Sequence, residues 1–177
     1  IKLSVVYNKD SLEPSIINIL ETHPDITFYS TYLNDEQLNE VRSESDIFII
    51  PAYRLHSMST LLSLCRGNPV ICCDGWGFDE YVTNNYNGII AKGQKCSYYD
   101  EDSLMREAYQ LGLTQPTSVI PQVELIDNLT DAILTLTNND IYNNMRKNCV
   151  REYQSNYTIP YRNQILSDIL HKVLNHD

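Results

Sequence analysis

The sequence predicts an α/β fold, a doubly wound parallel sheet followed by C-terminal helices. Two observations carry this. Short apolar runs alternate with helical segments from Ile1 to Ala91, the β-α-β-α rhythm of a parallel sheet. Two of those runs, DIFIIP and PVICC, are continuously apolar, as strands covered on both faces must be.

IKLSVVY (Ile1–Tyr7) is rich in β-branched residues and reads as a buried strand. Asp10 or Ser11 caps a helix through SLEPSIINILE, with Pro14 tolerated in its first turn, and His23-Pro24 stops it. ITFYS (Ile26–Ser30) is the second strand. Asn34 caps NDEQLNEVRS, and Asp35 and Glu36 suit the positive helix end. DIFIIP (Asp46–Pro51) is the third strand, and SMSTLLSLCRG (Ser57–Gly67) a helix closed by glycine. PVICC (Pro69–Cys73) is the fourth strand, FDEYV a short helix, and NGIIA (Asn87–Ala91) the fifth strand.

From Lys92 to Gln122 the pattern weakens into an excursion interrupted by Gly112, Pro116 and Pro121. Three helices then follow: VELIDNLTDAILTLT, DIYNNMRKNCVREYQ and PYRNQILSDILHKVL. Ile165, Leu166, Ile169, Leu170, Val173 and Leu174 form one apolar stripe on the last.

The 177 residues suffice for one domain with a real core, and 42% hydrophobic with 20% charged residues is a globular composition. A net charge of −10 argues against nucleic acid and anionic membranes as partners, though one local site can still hold a small anion. Five cysteines are an odd number, which does not suit a disulfide framework. Reduced, buried thiols of a cytoplasmic protein fit better, and no ligand spacing for a metal appears. No apolar run approaches the ~18 residues of a membrane span.

Open parallel sheets bind ligands at the carboxyl ends of their strands. After Pro51 the loop AYRLH leads into a helix starting near Ser57. Ser57 and Ser59 bring hydroxyls and backbone N–H groups to a positive helix end, which suits a phosphate; alternatively Ser57 is only an N-cap. Arg54 offers a charge, and His56 is the best placed of four histidines. Gly75 and Gly77 permit positive φ and close approach, and Trp76 between them either stacks on a ligand or covers the core.

The stretch DIFIIPAYRLHSMSTLLSLCRGNPVICCDGWGFDEYVTNNYNGII resembles the signature of retaining family-4 glycosyltransferases of the GT-B fold. Asp46 and Pro51 match its strand; Gly67, Pro69, Val70 and Ile71 match its helix end. Gly77 and Glu80 match Gly-x-x-Glu, and Asn87 and Gly88 the closing Asn-Gly. The helical tail is also similar. The resemblance implies a Rossmann-like C-terminal domain over residues 1–177 that holds a nucleotide-sugar donor. An acceptor domain and a first, central strand are expected upstream. The implied reaction moves a hexose from a UDP- or GDP-sugar to a glycan or protein-linked acceptor, with retention and without metal or cofactor. The expected location is cytoplasmic; a homo-oligomer and peripheral membrane attachment through a further domain are left open.

By position, the resemblance places Tyr32 and Leu33 at the nucleobase. It places Ser57, Met58 and Ser59 at the diphosphate, and by their loop positions His56, Gly75 and Gly77 are expected beside the same diphosphate and sugar. Two departures stand out. Arg54 and Leu62 occupy the places of the family's paired glutamates. Leu62, at the ribose position, cannot accept a hydrogen bond, and Arg54 offers a phosphate partner instead. These departures motivate an alternative, a non-catalytic GT-B-like domain kept for nucleotide binding or assembly.

Overall fold

The computed structural model describes residues 1–52, 55–75, 77–93 and 123–174. The chain is α/β with parallel strands, in two compact units, Ile1–Ser45 and Asp46–Asp177.

In the first unit, β1 (Leu3–Val6) pairs in parallel with β2 (Ile26–Tyr29) through a crossover helix, α1 (Pro14–Thr22). The register sets Leu3 opposite Ile26 and Val6 opposite Tyr29. The helix start differs from the sequence expectation. Asn8 caps a separate 3-10 turn, Lys9–Ser11, and α1 begins at Pro14 behind Glu13. Proline at N1 has the required φ and lacks an N–H that would be unbonded there anyway, so it sets the boundary. α2 (Asp35–Ser43) carries a full capping box: the Asn34 side chain accepts from Gln37 N, and Gln37 Oε1 accepts from Asn34 N.

Contrary to expectation, β1 is not buried. Leu3 is 42% exposed and neither α1 nor α2 contains a buried residue. The physical reason lies in the pairing: among the described residues β1 has only β2 beside it, whereas parallel strands reach full burial between neighbours and beneath helices on both faces.

The second unit holds a three-stranded parallel sheet in the order β3 (Phe48–Ile50), β4 (Val70–Cys73), β5 (Gly88–Ala91). β4 is central, and all four of its residues are buried. Its alternate side chains feed two layers. Val70 and Cys72 pack with Ile50, Leu64, Phe78, Val82 and Cys149. Ile71 packs on the other face with Ala132, Leu136 and Met145. The sheet therefore lies between α3 (Ser57–Arg66) on one side and α4 (Val123–Thr135) on the other, while α5 (Asn139–Asn156) packs on α3 and sends Cys149 to one layer and Met145 to the other. β3 was expected to be fully covered, but only Ile50 of its residues is; an edge strand has one neighbour.

Asn87 locks the approach to β5 from within. Fully buried, it donates to Tyr81 O at 2.9 Å and accepts from Thr83 N at 2.8 Å. Gly88 follows because a β-carbon there would lie 2.3 Å from Val70 O. The four described cysteines are free and three are buried; desolvation pushes the thiols of Cys72 and Cys149 up to about 12.

The final helix, α6 (Ile159–Leu174), contains no buried residue. Its apolar stripe, read from the sequence as one face, is exposed from Ile165 to Leu174. Among the described residues no helix is long and apolar enough to cross a membrane.

Candidate functional site

The candidate site is at the carboxyl ends of β3 and β4, where two loops meet. One leads from β3 into α3, and the other runs from β4 through Asp74 and Gly75 to the 3-10 turn Phe78–Glu80. Gly77 enters that turn with φ +82, a conformation that favours glycine. A β-carbon on Gly77 would lie 3.3 Å from Leu55 Cβ, so the turn and the start of α3 are in contact.

α3 begins with His56, not Ser57, as N-cap, and no side chain caps its end among the described residues. Thr60 N donates to His56 O at 3.0 Å, closing the first helical turn. The N–H groups of Ser57, Met58 and Ser59 precede that bond and have no carbonyl partner within the helix. By contrast, Asn138 caps α5 with bonds to both Asp140 N and Ile141 N. His56, Ser57 and Met58 are exposed and Ser59 is half-buried, so this positive helix end is open to solvent. One turn into the helix, Thr60 is fully buried, and its hydroxyl has no hydrogen-bond partner among the described residues.

The carboxylates at this edge are partly engaged. Asp74 Oδ2 accepts from Gly93 N at 3.3 Å, tying the end of β4 to the chain leaving β5. Asn128 Nδ2 donates to Lys92 O at 3.1 Å and fixes the same exit from the helical side. Glu80 is the last residue of the 3-10 turn, with Oε1 3.8 Å from the Gly77 β-carbon position.

The structure thus gathers His56, Ser57, Met58, Ser59, Gly75 and Gly77 on two adjoining loops of one unit. Leu62 is half-buried in the second turn of α3. Arg54, Trp76 and the excursion from residue 94 to 122 lie outside the described residues. Tyr32 and Leu33 belong to the first unit, immediately before the α2 cap; Tyr32 is 91% exposed and Leu33 is buried.

Three residues at this edge gave no signal in the sequence. Leu55 is one apolar residue in a short loop, and only the fold brings it to Gly77. Thr60 looks like any helical threonine. Tyr157, at the end of α5, donates its hydroxyl to Glu80 O at 2.9 Å across 77 residues of sequence, and its ring centroid is 5.2 Å from that of Tyr81. Desolvation raises the Tyr157 pKa, and the nearby Glu152 adds to it.

Several solved glycosyltransferases share this fold. A glycosyltransferase from Rickettsia africae ESF-5 is similar at a TM-score of 0.59 and 15% identity, over 99% of this chain and 41% of that one. Sucrose-phosphate synthase from Thermosynechococcus elongatus is similar at 0.65 and 13%, over 99% and 39%. The pneumococcal O-GlcNAc transferase GtfA, solved with UDP and GlcNAc, is similar at 0.63 and 15%, over 100% and 30%. The chain therefore spans well under half the length of these structures. No family model and no curated protein matches it.

Proposed function

We propose that the chain is the donor-binding part of a retaining glycosyltransferase, taking a UDP- or GDP-hexose and passing the sugar to a glycan or protein-linked acceptor. One observation carries this reading: on a glycosyltransferase-like fold, the N-terminus of α3, which no side chain caps among the described residues, opens at the strand ends beside the Gly77 turn. Three N–H groups without a carbonyl partner in the helix, at its positive end, suit a diphosphate, whose charge grows as the sugar leaves. Ser57 and Ser59 add hydroxyls, and Gly75 and Gly77 let the backbone approach the sugar. The sequence resemblance to family 4 supports retention without a metal. Under this reading the acceptor domain and a further strand come from chain beyond these residues.

The test is a donor screen. The whole protein is incubated with UDP- and GDP-hexoses and glycan acceptors, and released nucleoside diphosphate and product anomer are measured. Turnover with retained configuration supports the proposal; an inverted product contradicts it.

A second reading has its own observation. Leu62 places an aliphatic group on α3 where the resemblance expects a ribose-binding carboxylate. A non-catalytic nucleotide-binding domain would bind a nucleoside diphosphate and show no turnover with any donor.

A further inference from the structure

We propose that Tyr157 is a positioning residue for the Gly77–Glu80 turn, acting from the corner between α5 and α6. The inference rests on the reading of this edge as the donor site. The core holds the inner side of the turn: Phe78 and Val82 are each 1% exposed, and Asn87 takes the Tyr81 carbonyl at 2.9 Å. Glu80 and Asp79, on the outer side, are exposed. The Glu80 carbonyl is at the end of a single 3-10 turn, where carbonyls have no partner within the helix. The Tyr157 hydroxyl donates to that carbonyl at 2.9 Å. The Tyr157 ring lies against Tyr81 at 5.2 Å with a 34° tilt, which fixes the direction of the hydroxyl.

The bond therefore restrains the exposed side of the turn, the side the core does not hold. It acts three residues from Gly77, whose backbone lies against Leu55 and the start of α3. Glu80 N also donates back to Gly77 O at 3.3 Å, so a displacement at Glu80 passes directly to Gly77. Tyr157 does not touch the ligand in this account. It sets the backbone that does.

Tyr157→Phe removes the hydroxyl and keeps the ring. Tyr142→Phe is the matched control: it removes a tyrosine hydroxyl from the same helix, one that bonds Asp46 Oδ1 at 3.3 Å. Amide exchange at Glu80, Tyr81 and Val82 is measured in the whole protein without ligand, and UDP, GDP and ADP are then titrated. The expected result is faster exchange in Tyr157→Phe alone. An affinity loss of about two- to tenfold should accompany it, the range of one net hydrogen bond, with thermal melting close to that of the control. Unchanged exchange, or an equal affinity loss in Tyr142→Phe, overturns the proposal. Should wild-type protein bind none of the three nucleotides, the donor-site reading fails separately, and the exchange result still decides whether Tyr157 holds the turn.

Discussion

Leu55 packs against Gly77, the Leu55 β-carbon lying 3.3 Å from where a Gly77 β-carbon would stand. This contact joins the loop before α3 to the turn after β4 and makes one ligand edge from two loops far apart in sequence. Gly77→Ala forces an alanine into a left-handed backbone and against Leu55. It should cost roughly 1–2 kcal/mol of stability, read from urea unfolding, and weaken nucleotide binding as well.

Gly88 is required for a different reason. Its φ is not positive; the obstacle is Val70 O, 2.3 Å from a β-carbon, and Val82 Cγ1 at 2.8 Å. β4 and β5 would have to separate. Gly88→Ala should cost about 3 kcal/mol or more, and a urea midpoint within error of wild type would contradict the register described for β5.

Leucines of similar hydrophobicity differ in what they hold. Leu64 is 0% exposed in the core, and Leu170 on α6 is 54% exposed. Leu64→Ala should cost about 2–5 kcal/mol, whereas Leu170→Ala should stay within about 0.5 kcal/mol, both by urea unfolding of residues 1–177.

The buried thiols predict an alkaline instability. Desolvation, with the nearby charges of Cys73 and Asp74, raises Cys72 to about 12, and burial raises Cys149 to about 12, from 9.0. The folded chain therefore keeps these protons while the unfolded chain loses them. Their contribution is fully present below about pH 9 and is lost as pH rises toward 12. Urea midpoints should fall between pH 8 and pH 10, and Cys149→Ala should flatten that fall. In the native state at pH 8, Cys72, Cys73 and Cys149 should resist alkylation, as buried un-ionised thiols do.

Much of the fold was legible because local rules and packing agree. PVICC is apolar at every position, and the structure makes it the central strand. Asn34 is a cap by residue type alone, and it forms one. The misreadings have a common cause: burial depends on neighbours. IKLSVVY has the composition of a buried strand, yet β1 has one partner strand and stays exposed. The stripe on α6 has the right period for a core helix, but period does not say what covers it. At the site, the glycines and serines announced themselves through turn and helix-end chemistry. Leu55, Thr60 and Tyr157 did not, because each matters through a contact, or a missing one, that only the fold creates.

The most direct test of the central claim is an amide-resolved titration of the whole protein with UDP, GDP and ADP. Saturable binding of at least one of them is expected, with the largest amide shifts at Ser57, Met58, Ser59, Gly75 and Gly77. No binding of any of the three, or binding that leaves those five amides unmoved, would contradict it.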